Sequence, residues 1–222
     1  MADVSDQKRV LHTLTGPAEK RLLIWLAERM PAWVTPDLLT GVGVLGALIV
    51  FVGYALSNRA PEFLWLATFG LIVNWFGDSV DGTLARVRRV ERPRYGFYID
   101  HSFDVISEGL VILGIGVSPY VRFDVSCLTF IGYLAVSVLS YVRAFVDGTF
   151  KISYGRFGPT ELRILLAAVN AVMFIAPHPT VSLAGRQTGL YDLIVGTIAV
   201  ALAAAFLLST MKGLRDLSDV DA

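Results

Sequence analysis

The sequence predicts an all-α integral membrane protein, with six transmembrane helices preceded by an N-terminal amphipathic interfacial helix. Three observations carry that prediction. Hydrophobic residues make up 55% of the 222-residue chain and the mean hydropathy is +0.61, too apolar for a fold that must cover itself with polar surface. Six stretches reach or approach the roughly 20 apolar residues that cross a bilayer. The basic residues are shared very unevenly between the loops on the two sides.

Taken in order, the chain begins with 15 residues that carry charges but no apolar run leading to a small-residue cleavage site, so no cleaved signal peptide is expected. Residues 18–30 place Leu22, Leu23, Trp25, Leu26 and Met30 among Glu19, Lys20, Arg21, Glu28 and Arg29, and Pro31 follows. That pattern predicts an amphipathic helix, either lying in the headgroup layer or packed on the bundle. Spans are predicted at 38–56, 63–81, 97–117, 125–145, 162–176 and 190–208. The fifth is short, but Pro177 and Pro179 stop it sharply and Glu161 and Arg163 can sit at the interface. Two units follow: an N-terminal segment over 1–35 and a six-helix domain over 36–222.

Orientation comes from the Lys and Arg residues. With the N-terminus inside, the outer loops hold just Arg59, Arg122 and Arg186, leaving 16 of the 19 basic residues inside or at inner helix ends. The densest block is Arg86, Arg88, Arg89, Arg92 and Arg94. Acidic residues also number 19, so the net charge is zero and nothing points to a nucleic-acid partner. Cys127 stands alone in an apolar run, which reads as a buried structural thiol and permits no disulfide within the chain.

Chemistry gathers where the second span meets the third. A carboxylate inside a membrane costs about 2.5–3.5 kcal/mol even on lenient scales, yet four aspartates occur here: Asp78, Asp81, Asp100 and Asp104. Asp78, Asp81 and Ala85 are three and four apart, so they share a helical face, as do Asp100 and Asp104. If the two helices are antiparallel neighbours, all four carboxylates meet at their inner ends. Like charges so close raise one another's proton affinity unless cations intervene. Hard divalent ions with oxygen ligands answer that need, and a pair about 4 Å apart would clamp a pyrophosphate. Gly82 and Ala85 leave room beside the acids, and Arg86 can meet a phosphate or a base edge. Simple pairing of the acids with nearby arginines explains one such residue better than four.

The run Asp78-x2-Asp81-Gly82-x2-Ala85-Arg86, then nine residues, then Gly96-x3-Asp100-x3-Asp104, resembles the signature of the CDP-alcohol phosphotransferase family. It fills every fixed position over 27 residues, and the six-span layout extends the likeness from about Pro36 onward. The resemblance implies a membrane transferase of phospholipid biosynthesis, commonly a homodimer, with two divalent ions (Mg²⁺, or Mn²⁺) held by Asp78, Asp81, Asp100 and Asp104. It implies a CDP-linked donor near Gly82, Ala85, Arg86 and Gly96, and an alcohol acceptor whose hydroxyl attacks the β-phosphorus while CMP leaves. Asp104 would then be the general base. The implied setting is the cell's inner membrane, with the N-terminus and active site facing the cytoplasm.

Acceptor identity is pulled two ways. Arg143, in Ser140-Tyr-Val-Arg143, resembles a basic position near the acceptor pocket of members that use phosphorylated alcohols; Lys151, Arg156 and Arg163 follow it, as phosphate ligands or as positive-inside anchors. His101 and Glu161 resemble positions in choline and ethanolamine phosphotransferases, although Gly158-Pro-Thr-Glu161 also reads as a helix cap. Glu108 continues the Asp100–Asp104 face one turn deeper as a hydrogen-bond partner. The first set favours CDP-diacylglycerol as donor, the second a CDP-amino-alcohol with a diacylglycerol-like acceptor. Two other classes fit less well. Membrane prenyltransferases separate their aspartate motifs by roughly a hundred residues, against 22 here. An ion or metal transporter would place charges near the bilayer midplane or in both halves of the chain.

Overall fold

The structure, a computed structural model, describes residues 16–147, 158–183 and 186–220, and helices dominate it. Helix α1 (Gly16–Arg29) stops just before Pro31, whose ring cannot continue a helix. Arg88 donates to the carbonyls of Met30 (3.0 Å), Pro31 (2.8 Å) and Val34, holding the turn that leads from α1 to the next helix. Helix α2 (Pro36–Leu56) is capped by Thr35, whose hydroxyl oxygen accepts from the Leu38 amide at 3.2 Å, with Pro36 in the first turn.

Helix α3 (Phe63–Arg88) ends at Arg89, which takes the left-handed conformation (φ 56°) while the Val90 amide closes on the Ala85 carbonyl at 3.0 Å. Helix α4 (Pro93–Val117) also opens on a proline. Helices α5 (Phe123–Asp147), α6 (Pro159–Ile175) and α7 (Leu190–Val220) complete the bundle. Between α6 and α7 lies an antiparallel hairpin, β1 (Thr180–Leu183) against β2 (Arg186–Gly189), with Thr180 opposite Gly189. The hairpin was not anticipated. Helix α3 runs seven residues beyond its predicted end and α4 begins four residues before its predicted start, so all four aspartates lie inside regular helix.

Among the described residues, four helices are long and apolar enough to cross a membrane: α2, α3, α5 and α7. Helix α4 carries Arg94, Asp100, Asp104 and Glu108, and α6 has 17 residues, which is why neither matches them. The molecule is an all-α integral membrane protein. Its outward faces carry Trp65, Phe69 and Ile72 on α3, Leu128, Ile131 and Val138 on α5, and Val200, Leu207 and Leu208 on α7, large apolar side chains that lipid accommodates and water does not.

The closest packing joins α2 to α3 along a seam of glycines. A Cβ on Gly46 would collide with the Asn74 backbone, one on Gly77 with the Gly43 backbone and one on Gly53 with Ala67; one on Gly70 would stand 2.6 Å from the Val50 amide nitrogen. Small residues let membrane helices touch backbone to backbone, where dispersion is strongest. A buried polar relay locks the same region: the Tyr54 hydroxyl donates to Asn170 Oδ1 (2.8 Å) and Asn170 Nδ2 donates to Thr68 Oγ1 (3.1 Å), tying α2, α6 and α3.

Helices α1 and α6 pack on α3, whereas α4 packs on α2 and α5, and α5 on α7. The two aspartate-bearing helices face one another across a cleft, without the tight seam that joins α2 to α3. The small face of α3 is used up on α2, and its acidic face is left to look across a gap at α4. Helix α4 meets α2 near its far end, where a Cβ on Gly114 would lie 3.0 Å from the Phe51 Cα; at the other end a Cβ on Gly96 would meet nothing within 4 Å.

Candidate active site

Three helices build one cleft. Helix α2 supplies Thr40, Gly43 and Val44, α3 supplies Asn74 and Asp78, and α4 supplies Asp100, Phe103, Asp104 and Ser107. Asp78, Asp100 and Asp104 thus line a common space, with side chains of Asp78 and Asp104 37% and 46% exposed. Asp81 sits behind them, 6% exposed, within electrostatic reach of Asp100 and Asp78. Its carboxylate accepts from the Thr40 hydroxyl at 2.7 Å and from the Gly82 amide at 2.5 Å.

Asp78 is gripped from α6. Arg163 Nη2 donates to Asp78 Oδ2 at 2.7 Å and its Nε to Asn74 Oδ1 at 2.8 Å; Asn74 Nδ2 in turn donates to the Gly43 carbonyl at 2.9 Å. Arg163 Nη1 is buried and, among the described residues, has no hydrogen-bond partner. Glu108 stands within electrostatic reach of Arg163, Asp104 and Asp78. His101 places Nδ1 3.6 Å from Asp104 Oδ2 and packs its ring edge-on against Phe97, 4.2 Å between centroids. An open groove of about 380 Å³, lined by Phe97, Tyr98, His101, Ser102, Val105 and Tyr141, adjoins it.

The other residues singled out from sequence scatter. Gly82 and Ala85 are half-buried on α3, and Arg86 is exposed with Nη2 3.1 Å from Thr83 Oγ1. Gly96 stands at the open start of α4. Arg143 does not line the cleft; its Nη2 donates to the Ser209 carbonyl of α7 at 2.6 Å. Glu161 is buried at the start of α6, where Oε2 accepts from the Gly158 amide at 2.9 Å, the local bond that a cap requires. Lys151 and Arg156 lie outside the described residues. Sequence reasoning passed over Thr40, Asn74, Phe103 and Ser107. Asn74 had a usable signal, an intramembrane amide one turn before Asp78; Thr40 had none until α2 was placed.

The donor set is chemically suited to a hard divalent cation: carboxylates and hydroxyls, with no soft sulfur. Among the described residues, no three His, Cys, Asp or Glu side chains converge closely enough to hold an ion as an all-protein cage. Mg²⁺ rarely takes such a cage; it uses one or two carboxylates and fills its shell with phosphate oxygens and water. Acids spread around a cleft fit that habit.

The model of the CDP-alcohol phosphatidyltransferase family matches residues 33–210, most of the chain. Among curated relatives, an archaetidylinositol phosphate synthase of Pyrococcus horikoshii is 34% identical over 142 residues, covering 63% of this chain and 72% of the relative. One of the same name from Methanothermobacter thermautotrophicus is 30% identical over 128 residues, 58% of this chain and 60% of the relative. Cholinephosphotransferase 1 of Danio rerio is 25% identical over 164 residues, 68% of this chain but 42% of the longer relative. Members of the matched family use divalent metals. The chain belongs to the CDP-alcohol phosphatidyltransferase family and is a membrane transferase of phospholipid biosynthesis.

Proposed function

We propose that this protein transfers a phosphate-linked group from CDP-diacylglycerol, or a lipid like it, to a polar alcohol that itself carries a phosphate, with release of CMP. The observation that carries the reading is the shared cleft of Asp78, Asp100 and Asp104, with Asp81 buried behind it. The name of the archaetidylinositol phosphate synthase relatives supports a phosphorylated polyol such as inositol phosphate as acceptor.

In this scheme Gly82, Ala85, Arg86 and Gly96 receive the cytidine diphosphate, where small residues admit a flat base and a guanidinium meets phosphate. Asp104 takes the proton from the acceptor hydroxyl. The freed oxygen forms its bond to the β-phosphorus, and the bond from that phosphorus to CMP breaks, CMP carrying off the electron pair. Asp78, Asp81 and Asp100 are the remaining ligands for a divalent pair, Mg²⁺ first and Mn²⁺ as its substitute, which supplies positive charge to the diphosphate in the transition state.

The same proposal includes six spans, with α4 and α6 crossing inside the bundle, α1 in the headgroup layer, and the aspartates at the cytoplasmic face of the cell's inner membrane. The uneven distribution of basic residues supports that orientation. A homodimer is part of it by family analogy.

A second reading, a CDP-amino-alcohol donor with a diacylglycerol-like acceptor, is favoured by His101 beside Asp104 and by the cholinephosphotransferase relatives. One experiment separates the two. Purified protein with Mg²⁺ is given CDP-diacylglycerol and, in turn, inositol phosphate, glycerol phosphate, inositol and serine, or CDP-choline with diacylglycerol, and CMP is measured. Turnover with a phosphorylated acceptor is expected. Turnover confined to CDP-choline selects the second reading, and no CMP from either donor, alongside metal uptake into vesicles, sinks both.

A further inference from the structure

We infer that Arg163 is the resident counter-cation of the carboxylate cleft, holding Asp78 in the metal-free protein and yielding it when a divalent ion arrives. The inference rests on the proposed metal-dependent reading and deepens it. Geometry comes first. Arg163 reaches from α6 to Asp78 Oδ2 at 2.7 Å; its own side chain is 14% exposed, while that of Asp78 opens to the cleft. Glu108 faces the same guanidinium, and Asp104 and Asp78 face Glu108. Asp81 and Asp100 complete a group of five carboxylates around one cleft and its floor. Such a group favours a positive partner close by, because like charges so near one another otherwise take up protons.

The attachment of the guanidinium is also of a kind that can be given up. A structural arginine buried in a membrane protein spends its five donors. Here Nε is spent on Asn74 and Nη2 on Asp78, while Nη1, equally buried, has no hydrogen-bond partner among the described residues. Asn74 is itself anchored on the Gly43 carbonyl in the glycine seam, so Nε has a fixed pivot. Turning about that pivot exchanges one Nη contact and leaves the anchor intact. A divalent ion held by the cleft's aspartates would bring the charge that Arg163 supplies, and would repel the guanidinium by the same sign.

The test uses the full-length protein in detergent, with Mn²⁺ alone as the probe. Melting temperature is recorded in EDTA and in saturating Mn²⁺, and the Mn²⁺ Kd is measured by electron paramagnetic resonance of the free ion. For Arg163→Gln the expected result is a fall in melting temperature in EDTA that Mn²⁺ largely restores, with a Kd tighter by about threefold or more, because a competing charge has gone. Arg163→Lys keeps the charge and is expected to keep the wild-type Kd. Equal losses in EDTA and Mn²⁺ with an unchanged Kd would make Arg163 a plain strut and overturn the inference. A weaker Kd would overturn it too, by making Arg163 an organiser of the metal site. If Arg163→Gln cannot be extracted folded, Arg163→Lys decides: a shifted Kd despite retained charge rejects the idea. Wild-type protein that binds no Mn²⁺ is a separate result, which removes the metal-dependent reading itself.

Discussion

Asp81 differs from the other three aspartates in how it is held. It is buried, and the Thr40 hydroxyl and the Gly82 amide donate to its two oxygens. Thr40→Val keeps the shape and removes one donor, leaving a buried oxygen unpaired at a cost of about 1–3 kcal/mol. We expect a lower melting temperature and reduced CMP release, both recovered by Thr40→Ser; unchanged values for Thr40→Val would show that the bond contributes nothing. Asp100→Asn tests the cleft directly. Turnover should fall by about 100-fold or more while the melting curve barely moves, since a ligand is lost and the packing is not. Wild-type turnover in that variant would end the two-metal scheme. At this scale the sequence was partly readable. Four carboxylates in apolar surroundings announce themselves by their cost, whereas Thr40 and Arg163 join them from helices whose placement depends on packing. Arg143 shows the converse: a basic position marked out by resemblance that gives one of its donors to a carbonyl of α7.

Among the elements, α2, α3 and α6 are joined by side chains that have few alternatives. Tyr54→Phe removes the hydroxyl that feeds Asn170 Oδ1, in a site with almost no water. It should cost about 1–3 kcal/mol of stability, read as a lower melting temperature in detergent, with the Mn²⁺ response intact because the relay lies away from the cleft. A Mn²⁺ response lost together with stability would mean that relay and cleft are coupled. The stops after α1 and α6 were legible because Pro31 and Pro177 mark them, whereas Pro36, Pro93 and Pro159 open helices two, four and three residues before the predicted spans. The relation of α3 to α4 was not legible. Spacing along each helix says which residues share a face, but which neighbour a face meets is decided by the glycine seam with α2. The hairpin escaped for a different reason. Its strands are four residues each, below the length at which alternation stands out beside spans of twenty.

Over the whole molecule, the arginine-rich turn between α3 and α4 fixes the expected orientation. In a version lacking Cys127, a cysteine at Arg59, exposed between α2 and α3, should react with a membrane-impermeant maleimide on intact cells. One at Glu91, exposed between α3 and α4, should react after permeabilisation alone. The reverse pattern would put the cleft on the outer face and overturn the cytoplasmic assignment.

The unequal contacts of α2 have a mechanical consequence. Against α3 it is locked backbone to backbone, with no slack from Gly43 to Gly53. Against α4 it is tight near Gly114, and at the other end Arg92 and Tyr95 reach from the start of α4 to Asp37. The pair α2–α3 is therefore the fixed wall of the cleft, and α4 is a strut tied to that wall at both ends, by backbone contact at the Phe51–Gly114 crossing and by side chains at Asp37. Of the two ties, the one at the end where the acids are is an exposed ion pair, weaker and more easily exchanged than the seam that keeps the bundle standing.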